Sequence, residues 1–578
     1  MTSTAARRAL PSPYDSRTLS DGPHTLTAQV IPLSGPTQII QAPFTVQNRP
    51  SVTATTPTAG ATLVPLDTAI AAEVALPNPG TGVASNTLNP STVQLYQTLS
   101  GTMVPGTVNT SAAGDIIVYQ PAVQLTASTK YTFVITEAVT DSSGVPFIPY
   151  TLIFTTGTTT SLLPTPGVTF SKAVVYNGAT ISTLLIGPDG KLYAASLDGN
   201  LRRWRINATG GLTQLETYTG LAGRAIIGLT FDPGNPQVIW ISHNDPIPFE
   251  NEVYAADFTG QVDRLTLSGT GFVGTLQPYL HGLPRSAKDH LSNSLAFGPD
   301  GLLYLTQGSN SAMGAPDSSW NFRPERLFSA AVLQIDPRQT PPVTGFDVQT
   351  ETYFADPGTY DPSLPNAVLK VYAAGVRNAY DLLWHSNGHL YIPTNGSAAG
   401  GNTPADPMGT VPAVNNVRTQ DDWLFDVRPG KYYGHPNPLQ GRYVLNGGNP
   451  TADADCGEVV AEGNRNGYPV GIAPDLDWTC PAHNFGRNRS PNGVIEYRST
   501  TFGGSLRQQL LIAEYSAGDD IIAVSLNADG TVNQVTQAVA GLINPLDLVE
   551  DRRNGNLYVA ELFDETGEGQ ITLLTPMP

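Results

Sequence analysis

Apolar residues along this chain recur in short alternating runs broken by turn-forming residues, and almost nowhere at the three-to-four spacing of an amphipathic helix. One unit carries the pattern in full. Leu295, Phe297, Leu303 and Tyr304 flank Gly298-Pro299-Asp300-Gly301, which predicts a strand, a tight turn and a second strand. A strand–turn–strand of this kind, followed by a later alternating strand, recurs six times from about Val168 onward, at 184–206, 228–267, 294–335, 381–427, 493–526 and 545–574. The turns vary on one theme: Asp189-Gly190-Lys191-Leu192-Tyr193, Asn387-Gly388-His389-Leu390-Tyr391 and Asn554-Gly555-Asn556-Leu557-Tyr558. Six meander sheets of unequal length predict a six-bladed β-propeller over residues 168–578, because radial packing hides most sheet edges. Long insertions fall at 313–325, 339–365, 398–420 and 437–491, and loops of that kind over a rigid scaffold are where function collects.

The N-terminal part has a different rhythm. About seven short strands punctuated by turns over residues 51–157 predict a β-sandwich, and the order of its phrases resembles the bacterial Ig-like domains. Such modules act as spacers, so no chemistry is assigned to it. Residues 158–167 read as a linker by composition. Upstream, alternation at Thr25–Val30 and at Phe44 and Val46 suggests two strands, a partial Ig-like sandwich segment within 1–50 that is too small to bury its own core. The whole chain is therefore expected to be all-β.

Composition narrows the partners. Thirty basic residues against 48 acidic ones give a net charge of −18, which disfavours nucleic acid and anionic membrane surfaces. No run of about 18 apolar residues occurs, so no membrane span is expected. The first eight residues lack an apolar h-region and do not form a signal peptide. The Thr-rich, Lys-poor, all-β character nevertheless points to an extracellular or cell-surface location. Cys456 and Cys480 are the only two cysteines, and both sit among polar residues. A disulfide between them would close a loop of about 25 residues and stabilise by roughly 3 kcal/mol, again implying an oxidising compartment.

The Asp289-His290 pair, just ahead of a blade's first strand, does not recur with the repeat. A histidine beside a carboxylate at that position can act as a general base in the central channel, with Asp289 or a neighbour fixing its tautomer; the plain alternative is a surface histidine next to an acid. Lys288-Asp289-His290, then Leu295-Ala296-Phe297-Gly298, Gly375-Val376-Arg377-Asn378, Asp421-Asp422 and Gly430-Lys431-Tyr432-Tyr433-Gly434-His435 resemble the soluble quinoprotein glucose/sorbosone dehydrogenase family across roughly 168–576. That resemblance implies a six-bladed propeller that oxidises an aldose or related carbohydrate with pyrroloquinoline quinone (PQQ) and Ca2+. It implies His290 as the base, Asp289 beside it in the cofactor pocket, Arg377 and Asn378 on the quinone edge, and backbone carbonyls at Gly396 and Ser397 as calcium ligands.

This chain departs from the family at the cations that hold a tricarboxylate. Gly223 or Arg224, Ser516 and Asn544-Pro545-Leu546 stand where the family's cofactor-binding residues fall; Arg224, Arg487 and Arg489 are the candidates to compensate. The rival reading is a propeller without cofactor that serves as an extracellular carbohydrate-binding, adhesive or assembly module, self-assembling through the N-terminal strands. In either case the expected partner is a small carbohydrate or a glycan. Tyr432, Tyr433 and Trp423 are candidates to stack on a sugar ring, with core packing as the alternative. His435 and His483 read as solvated loop residues. Gly269–Gly274 matches G-x-G-x-x-G without a following helix and reads as a turn.

Overall fold

The computed structural model describes residues 22–30, 38–46, 48–77, 81–110, 114–246, 254–269, 271–317, 320–350, 358–397, 401–417, 419–448, 467–563 and 568–577. Residues 1–21 and Cys456 lie outside them. Ordered elements among the described residues are strands with short 3-10 turns, and none is a helix long and apolar enough to cross a membrane.

Among the described residues, strands β1 (Gly22–Val30) and β2 (Gln38–Val46) pair only with each other, antiparallel. Leu26, Ile39, Ile40 and Phe44 are exposed on them. Two further sheets form the sandwich. One pairs β3 (Ser51–Thr56), β4 (Ile70–Ala75), β7 (Ile116–Pro121) and β6 (Gly106–Thr110); the other pairs β5 (Val93–Gln97), β8 (Lys130–Ile135) and β9 (Tyr150–Thr155). Alternate residues of both sheets point inward, and Ile70, Ala72, Ile117, Tyr119, Leu95, Phe133 and Phe154 close a single core.

The remaining strands form six sheets. The first is β11–β14 (Ile181–Ile186, Leu192–Ser196, Leu201–Ile206, Leu212–Tyr218). The second is β15–β18 (Ala225–Asp232, Asn235–Asn244, Gly260–Leu267, Gly274–Leu283), with the short β22 (Phe346–Asp347) added in parallel at its outer edge. Next come β19–β21 with β23 (Ser292–Phe297, Leu303–Gln307, Ala331–Ile335, Leu369–Ala374), and β24–β27 (Leu383–Trp384, Leu390–Thr394, Asp422–Val427, His483–Gly486). The fifth is β28–β31 (Pro491–Glu496, Leu510–Glu514, Asp520–Leu526, Val532–Val539). The last, β32–β34 (Pro545–Asp551, Asn556–Phe563, Glu568–Pro576), takes its outermost strand from the start of the ring, β10 (Phe170–Ala179). The first strands β11, β15, β19, β24, β28 and β32 each touch the next, and β32 touches β11, so the sheets close around an axis as a propeller.

The turn chemistry read from the sequence builds one end of this ring. Gly298 and Leu302 close the turn, Asp300 accepts from the Leu302 amide, and Tyr304 donates back to the Asp300 carboxylate at 2.8 Å. Tyr193 donates in the same way to Asp189 four residues back, whereas at the matching positions the Asn387 amide donates to the Tyr391 hydroxyl. Tyrosines also tie neighbouring sheets: Tyr391 donates to the Gly530 carbonyl and Tyr558 to that of Gly210. At the opposite end the first strands begin, and there the loops differ from sheet to sheet. We call it the entry face.

The sandwich, read from the sequence as a spacer, stands on the entry face. Ala69, Ala71, Ile116 and Val118 of its β4–β7 surface pack on Ala517 of the propeller. Asn109 donates to Asn544 at 2.6 Å, Lys288 reaches the Thr81 carbonyl at 3.5 Å, and Glu73 lies 3.7 Å from Arg487. The linker segment is partly anchored as well. Leu163 and Thr165 bond the backbone of Gln537 on β31, whereas Ser161 is held by Asp67 of the sandwich.

Candidate functional site

Residues 284–291 lead into β19 at the axis of the entry face. Composition suggests a polar surface loop, but every side chain from Pro284 to Leu291 except Asp289 is buried. Arg285 makes that possible. Its guanidinium donates to the carbonyls of Ser286 and Lys288, each at 2.7 Å, and to those of Asp245 and Pro246. Burial, with Arg323 nearby, pulls it down to about 10, still protonated at neutral pH. The Ser286 hydroxyl oxygen accepts from the Lys288 and His290 amides, curling the loop so that His290 faces inward.

The His290 ring lies 4.2 Å from that of Trp320, and its Nδ1 is 3.0 Å from both the carbonyl and the hydroxyl of Ser309. The carbonyl accepts only, and the Ser309 hydroxyl already donates to the Ser311 carbonyl at 2.8 Å. Nδ1 must therefore carry the proton, which leaves Nε2 with the lone pair. Burial, then Arg377 and His435, push His290 well below the ordinary histidine value, so it is a neutral, oriented base at physiological pH. Gly308 permits the approach, since a Cβ there would come within 2.7 Å of His290 Cβ. Asp289 does not orient the imidazole; Ser309 does. The Asp289 carboxyl is raised to about 6 by burial and by Asp115, against the pull of Lys288, and its Oδ1 is buried without a hydrogen-bond partner.

Arg377 sits beside this base, 5.9 Å over Trp320, with Nε on the Ala312 carbonyl at 2.9 Å and Nη1 on the Gly396 carbonyl at 2.7 Å. Asn378 accepts from Asn293 at 3.0 Å and so joins two neighbouring sheets at the axis. Gly396 donates its amide to Asp422 at 2.7 Å, and a Cβ there would strike the Asp421 carbonyl at 2.2 Å, so the backbone needs glycine at this crossing. Ser397 is buried and its carbonyl accepts from the Gln420 amide. Asp422 also accepts from the Ser490 amide, and burial together with Asp421 raises it to about 6.

The other cations all have acidic or carbonyl partners. Arg224 holds Asp245, His243 and the Thr259 carbonyl. Arg487 lies between Glu73 and Asp421, and Arg489 between Glu514 and Asp520. Lys288 and Arg377 are buried and under the influence of Asp115, a sandwich residue that is itself 3% exposed.

Two features lay beyond the sequence reading. His435 is buried, with Nε2 2.9 Å from Glu325, whose oxygens also accept from the Asn310 and Ser311 amides. Glu325 in turn holds Ser311, whose carbonyl accepts from the Ser309 hydroxyl beside His290, so a residue read as a solvated loop histidine belongs to this site. Trp320 forms the floor beneath His290. A tryptophan in an insertion after a histidine-bearing strand was the available signal. By contrast Tyr432 and Tyr433 are core residues bonded to the Val444 and Asp426 carbonyls, and Trp423 packs on that core, so none presents a face for a sugar. Cys480 is disulfide-bonded; the other cysteine of the chain lies outside the described residues.

The implied cofactors can be tested against these contacts. Calcium at Gly396 needs a free carbonyl, but that oxygen already faces a guanidinium. Among the described residues no group of three or more His, Cys, Asp or Glu side chains could hold a metal ion. A tricarboxylate needs uncommitted cations, and in this docked arrangement Arg224, Arg377, Arg487, Arg489 and Lys288 all have partners. Neither group fits the site with these contacts in place, and of those partners only the ones on Lys288 and Arg487 come from the sandwich.

Residues 46–156 match the family model described as bacterial Ig-like domain. No curated protein matches the chain. Solved structures similar to it include a glucose dehydrogenase-type oxidoreductase from Thermus thermophilus, at 19% identity and TM-score 0.43, covering 70% of this chain and 100% of that one. Others are the PQQ-bound aldose sugar dehydrogenase of Streptomyces coelicolor (15%, 0.44, 71% and 99%) and the PQQ domain of pyranose dehydrogenase from Coprinopsis cinerea (13%, 0.46, 72% and 98%). At these scores the likenesses carry no inference about chemistry; the propeller assignment rests on the strand pairing described above.

Proposed function

We propose that the propeller acts on a hydroxyl group of an aldose or related carbohydrate, with His290 Nε2 accepting the hydroxyl proton. The observation behind this reading is the Ser309–His290–Trp320 arrangement, which keeps one imidazole neutral, fixes its tautomer and holds it on an aromatic floor at the axis. A sugar hydroxyl presented there would lose its proton to His290, and the hydride leaving its carbon would require an acceptor. The motif resemblance names PQQ with Ca2+ as that acceptor. The Gly396 carbonyl and the arginines as they are engaged here fit neither group, and what the chain's own residues supply is the acceptance of the proton. The disulfide at Cys480 and the bacterial Ig-like domain support an extracellular or cell-surface setting.

The test is reconstitution. Purified protein receives PQQ and Ca2+, dye reduction is followed with a panel of sugars, and PQQ binding is titrated by absorbance. Turnover that disappears in His290→Ala supports the reading; no binding and no turnover count decisively against it. A second reading draws on the Arg377–Gly396 contact and the neutralised cations: a cofactor-less propeller serving as a carbohydrate-binding, adhesive or assembly protein. For that protein His290→Ala leaves glycan binding and assembly unchanged.

A further inference from the structure

The contact between sandwich and propeller is polar and ion-bearing, with only a small patch of mostly alanine and β-branched side chains at its centre. Domain contacts of this composition separate more readily than apolar ones. It also falls on the one part of the entry face where His290, Lys288, Arg377 and Asp289 converge. Asp115, just ahead of β7 and next to Ile116 of the surface packed on Ala517, is 3% exposed in the docked contact, and its carboxylate favours the charged forms of Lys288 and Arg377 and raises Asp289. Thr81 adds a carbonyl to the same ammonium. A carboxylate and a carbonyl supplied to two buried cations are what an anionic ligand would supply. The connection between the domains is also suited to a pivot: Ser161 is bonded to the sandwich, whereas Leu162 packs on the propeller and Leu163 and Thr165 bond β31, so the anchoring changes over at the step from Ser161 to Leu162.

We propose that the Ig-like domain is an internal stopper of the axial site: Asp115 and the β4–β7 surface occupy the place of an anionic ligand beside Lys288 and Arg377, and the site opens when the sandwich swings about the step from Ser161 to Leu162. This rests on the reading of the axial site given above and adds its regulation. The sandwich thereby excludes ligand and water from His290 until something displaces it.

The full-length chain tests this through the accessibility of Lys288. Lys130 is exposed on the sandwich and serves as the internal reference. Both are followed by mass spectrometry during labelling with an amine-reactive acylating reagent. Two variants weaken docking without touching the charges around Lys288: Ala517→Phe, a wedge in the apolar patch, and Asn109→Ala, which removes the bond to Asn544. Because they alter different contacts, a folding failure in one leaves the other to decide. In the wild type Lys288 is protected relative to Lys130, and in the variants its labelling rises about tenfold, the shift expected from losing one buried contact.

PQQ is titrated alongside as the anionic probe. Freed Lys288 with PQQ binding tightened about tenfold supports both the stopper and the function reading. Freed Lys288 with no PQQ binding in any form keeps the stopper and removes the quinoprotein reading. PQQ binding and sugar oxidation that are equal in wild type and variants overturn the stopper and leave the function reading standing. Lys288 equally protected in both folded variants overturns the stopper outright.

Discussion

The two ends of the propeller are built from the same strands by opposite rules. At the turn end, Asp189–Tyr193 and Asp300–Tyr304 repeat one local bond and Asn387–Tyr391 pairs the same positions, although Glu496, Glu550 and Asp551 are buried there too. At the entry face nothing repeats, and Arg285, Lys288, His290, Glu325, Arg377, Asp422 and His435 are all buried. Repetition there would serve closure of the ring alone. Burying that much charge is costly unless each group has a partner, so such an arrangement is retained for specificity or chemistry.

That contrast can be broken at several points. The largest effect is expected at His290. In reconstituted protein with turnover, His290→Ala lowers kcat by about 10²–10⁴-fold, the usual contribution of a positioned general base, with the melting temperature little changed. Steady-state kinetics beside a thermal melt check it.

Arg285 comes next. Arg285→Met leaves the Ser286, Lys288, Asp245 and Pro246 carbonyls without their donor, and denaturant unfolding should register a loss of about 3–5 kcal/mol. The matched change at an exposed charge, Arg338→Ala beside Asp336, should leave the unfolding curve unmoved.

A third expectation concerns pH. Asp422 is raised to about 6 in the folded protein, above its unfolded value of about 3.9. The unfolded chain therefore ionises first. The stability this group contributes is present below about pH 4 and is lost as pH rises through about 6, up to about 3 kcal/mol. Asp289 acts in the same direction. At the other end, Glu216 is lowered to about 2 by Arg203 and Lys191, so its contribution is present above its unfolded value and is lost only in strong acid. Unfolding at pH 4.5 and 6.5 in wild type and Asp422→Asn checks this; the variant should show the shallower slope. The smallest effect is expected at Tyr304→Phe, which removes one turn bond and costs about 0.5–1.5 kcal/mol by the same unfolding measurement.

The difference between the two ends also explains what the sequence disclosed. Turn chemistry is local: glycine, an Asp or Asn and a Tyr four residues on announce themselves in any reading frame of the repeat. The all-β class, the sandwich and the repeated sheets were legible for that reason, as was the singularity of His290. The site is made of contacts across long separations. Ser309 rather than Asp289 orients the imidazole, Gly396 receives Arg377 from 19 residues away, and Glu325 meets His435 across 110. No local pattern encodes these pairings. The docked sandwich was hidden for the same reason, since Thr81 looks like any loop residue until the fold brings its carbonyl to Lys288. The N-terminal 21–50 segment was legible as strands only, and among the described residues its two strands pair with each other.

The last sheet joins β34 to β10, so the two ends of the ring meet across about four hundred residues of chain. Each sandwich sheet, by contrast, pairs strands that lie close together in the sequence. As the polypeptide emerges from the ribosome, the sandwich can complete itself early, while the ring stays unlatched until its final strands arrive. The plug is thus made before the hole it fills.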